Sequence, residues 1–160
     1  MAAVVVNTNF CCALRTEGQR MNATQLLYPV FVQVALTFVL LFWMGRARLA
    51  ALTNRELKVS DVSLGQRAWP AKVMQISNTY QNQFELPMLF FALVAFAMIN
   101  PRNVDIVMIV LAWGFVVSRI AHAAIYTTSN AIRQRFSAFL IGGIFLLAMW
   151  VLFAARIIAG

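Results

Sequence analysis

The sequence predicts an all-α membrane protein built as a single bundle of four transmembrane helices. Three observations lead to this fold: the composition, four long apolar stretches, and the position of the basic residues. Of the 160 residues, 62% are hydrophobic and only 11% are charged, against about 25% charged residues in soluble domains. A 17.9 kDa chain with a mean hydropathy of +0.77 has more apolar surface than its own core can bury, so lipid must solvate the excess.

The four helices follow from the apolar stretches, because a transmembrane helix needs about 20 predominantly apolar residues. The predicted helices cover residues 24–46, 70–99, 104–127 and 134–158. The second stretch contains Glu85, and the third contains Arg119 and His122. Residues 100–103, Asn-Pro-Arg-Asn, are typical of a tight turn between the second and third helices. Pro87 lies inside the second helix, where it removes a backbone hydrogen bond.

The basic residues indicate orientation, since short cytoplasmic loops carry an excess of Lys and Arg. The loops at 46–72 and 128–135 hold eight of the basic residues and lie on one side if four helices span. We expect both loops in the cytoplasm and both termini outside, in the inner membrane if the protein is bacterial. The net charge of +8 does not indicate a nucleic-acid partner, because the basic residues do not cluster with aromatic residues on a polar face.

Residues 1–21 form an N-terminal tail outside the predicted membrane domain at 22–160. The tail lacks the basic start of a signal peptide, and Met21 is a second candidate for the first residue. Cys11 and Cys12 have no His or Cys partner at metal-ligand spacing, so they indicate neither a metal nor a redox site.

Two polar stripes lie within the predicted spans, where polar side chains usually face protein or water and often mark function. The stripe of the second helix is Asn78, Asn82 and Glu85, and that of the third is Arg119, His122 and Tyr126. Each stripe covers about 60° of arc at helical spacing. In an antiparallel hairpin that turns near residue 102, the pairs at equal depth are Glu85 with Arg119, Asn82 with His122, and Asn78 with Tyr126.

Each stripe also has a purely structural interpretation. Glu85 and Arg119 can neutralise each other, His122 can be a packing residue, and the asparagines can form interhelical hydrogen bonds. Taken together with the basic residues near the cytoplasmic mouth, however, the stripes predict a pocket for an anionic molecule that carries an amine. These basic residues are Arg46, Arg48, Arg133 and Arg135.

Three short motifs resemble those of a known family. The stretch 82–87, Asn-Gln-Phe-Glu-Leu-Pro, resembles the second-helix signature of the membrane-associated proteins in eicosanoid and glutathione metabolism (MAPEG). The series Arg119, His122, Tyr126 and a downstream Arg resembles the third helix of its prostaglandin and leukotriene synthase branch. Residues 46–48, Arg-Ala-Arg, resemble the end of its first helix, and the resemblance covers about residues 22–158.

The resemblance implies a homotrimer with active sites between subunits, and glutathione as a cosubstrate without a metal. It implies that Asn82 and Glu85 bind the tripeptide, supported by Arg46, Arg119, His122 and Tyr126. It further implies that an Arg near the start of the fourth helix stabilises the thiolate. That residue is Arg133, with Arg135 as the open alternative, because a nearby guanidinium favours the nucleophilic thiolate. A lipophilic electrophile would reach the sulfur from the bilayer.

Two other functions stay open. A non-catalytic lipid-binding or scaffolding trimer would use the same fold, since a fold does not determine an activity. A small transporter would use the buried polar residues as a relay. Against the transporter, residues 106–117 of the third helix contain no titratable group, so the polar stripes describe a pocket open on one side.

Overall fold

The computed structural model describes residues 23–57, 62, 69–101 and 104–159. The helices are α1 (Leu27–Thr53), α2 (Ala71–Gln81), α3 (Leu86–Ile99), α4 (Ile106–Thr127) and α5 (Ile132–Ala159), with a 3-10 turn at Asn82–Phe84. They make four spans long and apolar enough to cross a membrane: Ala23–Thr53, Ala71–Ile99, Ile106–Thr127 and Ile132–Ala159. The described residues form no strand. The protein is therefore a multi-pass membrane protein, and the predicted all-α four-helix bundle is confirmed. The expectations for the tail at 1–21 and for Arg102 and Asn103 in the turn fall outside the described residues.

Helix α1 continues seven residues beyond its expected end at residue 46 and stops at Thr53. The expectation was wrong because charged residues limit the apolar span but not the helix. Residues 46–52, Arg-Ala-Arg-Leu-Ala-Ala-Leu, are all strong helix formers, and Ala51 is buried.

The second span is not one continuous helix, contrary to the expectation for residues 70–99. Helix α2 gives way to the 3-10 turn, and Glu85 has non-helical backbone angles, φ −88° and ψ −97°. Pro87 consequently lies in the first turn of α3, where its missing N–H would have no intrahelical partner in any case. The break thus falls within the polar stripe of the second span, at Asn82 and Glu85.

Side chains from different helices meet at both ends of the bundle. At one end, Lys72 Nζ donates to the Thr127 carbonyl and Gln75 Nε2 donates to the Tyr126 carbonyl. The start of α2 thereby satisfies carbonyls that the last turn of α4 leaves without partners. We call this end, where α1 and α4 finish and α2 and α5 begin, the basic end. The opposite end, where α3 is joined to α4, is the hairpin end.

The apolar core lies toward the hairpin end and joins α3, α4 and α5. Phe90 stacks on Phe115 with ring centroids 4.8 Å apart, and both rings are fully buried. Closer to the basic end the core becomes polar. Gln33 Nε2 donates to Gln83 Oε1 at 2.9 Å, and Gln83 Nε2 donates to the Thr79 carbonyl at 3.1 Å. This buried network attaches α1 to the 3-10 turn.

Helices α4 and α5 approach closely where Gly142 faces Ser118. A Cβ atom added at Gly142 would lie 2.5 Å from Ser118 Oγ and 3.8 Å from Arg119 Cδ, whereas one added at Gly143 would meet nothing within 4 Å. Ala138, one turn before Gly142, is also buried. The small residues at positions 138 and 142 thus permit the close packing of α5 against the rest of the bundle.

At the hairpin end, Asp105 caps α4 and pairs with α5. Its Oδ1 accepts from the Met108 N–H at 3.0 Å, and its Oδ2 lies 2.5 Å from Arg156 Nη2. The hydrogen bond from Arg156 is the main cause that holds the pKa of the Asp105 carboxyl below its usual value.

We expect Asp105→Asn to lower stability slightly at neutral pH, because Asn keeps the cap but loses the ion pair. The carboxyl is partly exposed, so solvent screening limits the loss to about 0.5 kcal/mol. Since the folded pKa is lowered, this contribution is present above the ordinary pKa of Asp and is lost as the pH falls through the lowered value. Thermal unfolding of both proteins at neutral and acidic pH checks this prediction. The difference between their unfolding temperatures should shrink in acid, and a difference that grows in acid would contradict the prediction.

Candidate functional site

The two polar stripes meet near the basic end of the bundle. Asn82 Nδ2 lies 3.3 Å from His122 Nε2, so the pairing of these residues that the hairpin predicts is confirmed. Asn82 directly follows α2 with α-helical backbone angles, φ −62° and ψ −13°, and its N–H donates to the Asn78 carbonyl, so its side chain continues the course of α2.

Arg119 is fully buried beneath this pair. Its Nη2 donates to the Asn82 carbonyl at 3.0 Å, and its guanidinium carbon lies 5.5 Å from the centre of the Phe139 ring. The Nε and Nη1 atoms are buried and have no hydrogen-bond partner among the described residues. Arg119 is therefore held by one hydrogen bond among the described residues, and it is not one of the side chains that line the pocket described below.

Glu85 and Arg119, which are predicted to lie at equal depth, form no salt bridge in the described part of the chain, where the ion pair present joins Asp105 to Arg156. Glu85 is exposed on the protomer surface. The reason is the helix break: a common face for Asn82 and Glu85 assumes a rotation of 100° per residue in a regular helix, whereas the 3-10 turn and the non-helical backbone of Glu85 interrupt that rotation. Likewise, Asn78 and Tyr126 share no hydrogen bond within the described ranges, and Gln75 contacts the Tyr126 carbonyl instead.

His122 is held on several sides. Its Nδ1 lies 3.0 Å from the Arg135 carbonyl oxygen. Its ring stacks on the Tyr126 ring, with centroids 5.9 Å apart and an angle of 16° between the planes. The Phe139 ring is tilted against the imidazole, and its centroid lies 5.7 Å from that of His122. The imidazole therefore connects α4 to the 3-10 turn and to the first turn of α5.

Arg135 is fixed in position by two neighbours. Its guanidinium carbon lies 4.1 Å from the centre of the Tyr126 ring, a cation–π contact. Its Nη1 donates to Asn130 Oδ1 at 2.8 Å. Asn130 has a left-handed backbone with φ 50°, which Asn tolerates better than most residues, and its N–H donates to the Ile125 carbonyl at 2.8 Å. The turn between α4 and α5 thus presents Arg135 toward α4.

These side chains surround a pocket of about 340 Å³. Its lining residues are Asn82, His122, Tyr126, Ile132, Arg135, Phe136 and Phe139. The pocket combines an amide, an imidazole, a phenol and a guanidinium with three apolar side chains. A ligand with both an anionic polar part and an apolar part is therefore complementary to it.

The family of the chain follows from comparison with known proteins. Residues 26–155, most of the chain, match the family model described as MAPEG family. The chain belongs to the MAPEG family. Members of this family generally use glutathione and generally form trimers, and membership supports a membrane role in glutathione or eicosanoid metabolism. Comparison with curated proteins and with solved structures gives no significant match.

The remaining predicted site residues of this MAPEG protein lie outside the pocket. Arg46, Glu85 and Arg133 are all exposed on the protomer and do not line the pocket. Arg48, the second Arg of the Arg-Ala-Arg motif, instead donates to Ser77 Oγ at 3.1 Å and lies 5.3 Å from the Trp69 ring centre. Arg48 thereby attaches α1 to α2, while the roles of Arg46, Glu85 and Arg133 in binding stay predictions.

The sequence indicates Arg135 only as the alternative to Arg133, and it indicates no role for Asn130 or Phe139. Asn130 was detectable as a residue that favours turns and left-handed backbone, but its contact with Arg135 depends on how the turn folds. Phe139 lies seven residues after Ile132 in an apolar helix, where no local signal distinguishes a pocket aromatic from a lipid-facing one.

Proposed function

We propose that this protein is a membrane-bound glutathione-dependent transferase or peroxidase-like protein that acts on lipophilic electrophiles. The observation that carries the proposal is the pocket that places Arg135 beside apolar side chains from the same helix. Arg135 offers a guanidinium to a thiolate, and Ile132, Phe136 and Phe139 offer an apolar surface to the electrophile. The general use of glutathione in the MAPEG family supports the choice of thiol.

In this proposal Arg135 favours ionisation of the glutathione thiol, because a nearby positive charge stabilises the thiolate and the thiolate is the nucleophile. The sulfur then forms a bond to the electrophilic carbon, and the leaving group departs with its electron pair. Asn82 and the buried Arg119 support the peptide part. Arg133 is the other candidate for the activating residue, and its exposed position in the protomer makes it the weaker one.

We propose a homotrimer in which a neighbouring copy completes each site. Glu85 is exposed, together with the large apolar side chains of Phe84, Met88 and Leu89. A carboxylate within a membrane span costs roughly 2.5–3.5 kcal/mol on insertion scales unless protein or water covers it. A second copy over this face would cover Glu85 and bring it, or the exposed Arg46, toward the bound tripeptide.

We also propose that the basic end faces the cytoplasm, which is the orientation expected from the positive-inside rule. Arg46, Arg55, Lys72, Arg133 and Arg135 all belong to that end of the described chain. Glutathione would then enter from the cytoplasm, and the electrophile would enter from the bilayer.

A non-catalytic lipid-binding protein is the second candidate, and a separate observation favours it. A groove of about 280 Å³ lies between α1 and α4 and has an almost wholly apolar lining. Its lining residues are Leu36, Val39, Leu40, Trp43, Ile120, Ala123, Ala124, Thr127 and Thr128. A protein of this kind would bind lipid there without binding glutathione.

The thiolate absorbance of bound glutathione separates the two functions. The purified protein in detergent, mixed with millimolar glutathione at neutral pH, should show the ultraviolet absorbance of a thiolate in proportion to the protein. S-methylglutathione, which cannot ionise at sulfur, should displace glutathione without producing this signal. Saturable lipid binding without any thiolate signal or glutathione binding would reject the enzyme and favour the lipid-binding protein.

A further inference from the structure

A chain of two hydrogen bonds runs from the first turn of α5 through His122 to the side chain of Asn82. His122 Nδ1 lies 3.0 Å from the Arg135 carbonyl oxygen, and His122 Nε2 lies 3.3 Å from Asn82 Nδ2. The imidazole is only 3% exposed and lies between the rings of Tyr126 and Phe139. Its orientation is therefore set by packing before any ligand binds.

The first hydrogen bond decides which ring nitrogen carries the proton. A backbone carbonyl can only accept, so the proton must be on His122 Nδ1. A second proton would make an imidazolium beside the guanidinium groups of Arg119 and Arg135, and no carboxylate in the described part of the chain is hydrogen-bonded to the ring. The ring is accordingly neutral, and His122 Nε2 is an acceptor.

The second hydrogen bond then decides the orientation of the Asn82 amide. Because Nε2 accepts, Asn82 must present its NH₂ group to His122, and its carbonyl oxygen Oδ1 must point elsewhere. Asn82 lines the pocket, and no side chain or backbone group in the described residues donates to Oδ1. The oxygen is left as an acceptor for a ligand.

We propose that His122 is a positioning residue that makes Asn82 Oδ1 a hydrogen-bond acceptor, so that the pocket selects a ligand with an N–H donor at this point. This inference rests on the proposed function and deepens it. The pocket would take a peptide that offers an amide or ammonium N–H to Asn82 and an anionic sulfur to Arg135. A thiol without a nearby N–H group would satisfy only one half of the pocket.

The protonation of His122 can be measured without any ligand. His122 is the only histidine of the chain, so protein labelled with ¹⁵N-histidine gives the ring-nitrogen resonances of this residue alone. The expected spectrum shows a protonated Nδ1 and an unprotonated Nε2. A spectrum with the proton on Nε2 would overturn the inference, whether or not the protein binds glutathione.

Two substitutions of similar polarity test the consequence for binding. In His122→Gln, the terminal amide reaches about the place of Nε2 and can accept from Asn82. In His122→Asn, the shorter amide reaches about the place of Nδ1 and can keep only the bond to the Arg135 carbonyl. We expect the Kd of glutathione to rise about threefold or less in the Gln variant and about tenfold or more in the Asn variant.

The pattern of kinetic constants distinguishes positioning from a general loss of structure. With an electrophile present, His122→Asn should raise the KM for glutathione and leave kcat nearly unchanged, because Arg135 still activates the thiol. An equal rise of Kd in both variants, at equal thermal stability, would contradict the role of Nε2 as an acceptor. If the unsubstituted protein binds no glutathione, the proposed function fails, and the ¹⁵N spectrum alone decides the state of His122.

Discussion

Arg135→Gln is expected to remove the thiolate absorbance of bound glutathione and to lower kcat/KM by about 100-fold or more. A loss of this size is typical when one preorganised charge that stabilises developing anion is removed from an active site. Glutamine keeps most of the length and polarity of the side chain, so the change removes chiefly the positive charge. Arg135 is already held by Asn130 Oδ1 at 2.8 Å and by the Tyr126 ring at 4.1 Å, and therefore needs little rearrangement to meet a thiol.

The comparison with Arg133→Gln decides between the two candidate activators. Both residues lie in the first turn of α5 and both are Arg, but only Arg135 lines the pocket. We expect the larger loss for Arg135→Gln. Arg55→Gln, which removes an exposed charge from the connection after α1, is the matched control and should leave thiolate absorbance and kcat/KM unchanged. Loss of the thiolate in Arg133→Gln alone would transfer the role to Arg133 and would require a neighbouring copy to place it at the sulfur.

Gly142→Ala is expected to destabilise the bundle by about 1–3 kcal/mol, the usual effect of forcing an extra carbon into a packed interface. The new Cβ would lie 2.5 Å from Ser118 Oγ, so either the hydroxyl rotates and gives up its hydrogen bond to the Phe115 carbonyl, or α4 and α5 separate. Thermal unfolding in a fixed detergent, together with the yield of folded protein, measures the effect.

The chain offers a matched control at the next residue. Gly143→Ala adds the same atom where nothing lies within 4 Å, so it should be neutral or slightly stabilising, since Ala is the better helix former. Combining Gly142→Ala with Ser118→Ala removes the oxygen in the way and should restore most of the stability. Equal unfolding temperatures for the two single Gly variants would show that the helices do not approach at Gly142.

The accuracy of the sequence predictions depended on how local each feature is. The four spans depend on runs of apolar residues, so they were predictable. The end of α1 was misplaced by seven residues, because a charge near Arg46 ends the apolar run while Ala and Leu continue the helix. The pairing of Asn82 with His122 was predicted correctly, since Asn82 still has α-helical backbone angles at the end of α2 and the irregular backbone at Glu85 comes after it.

Glu85 shows where such reasoning fails. A side chain of Glu85 that faces Arg119 requires a regular helix through residues 82–87, but the 3-10 turn and Pro87 interrupt it. Arg119 therefore donates to the Asn82 carbonyl at 3.0 Å, and Glu85 is left exposed on the protomer. A proline predicts a disturbance of the helix, but the direction in which each nearby side chain then points depends on what packs against the break.

The amino-acid sequence by itself determined the membrane fold, the four spans and the six residues of the two polar stripes. Hydrophobic length and helical spacing are properties of short segments, and they act before any two helices meet. The tertiary structure alone decided which of these residues share a pocket and which Arg of α5 enters it. Arg133 and Arg135 are only two residues apart, about 200° around a helix, so the left-handed turn at Asn130 and the ring of Tyr126, and not the local sequence pattern, direct Arg135 toward His122.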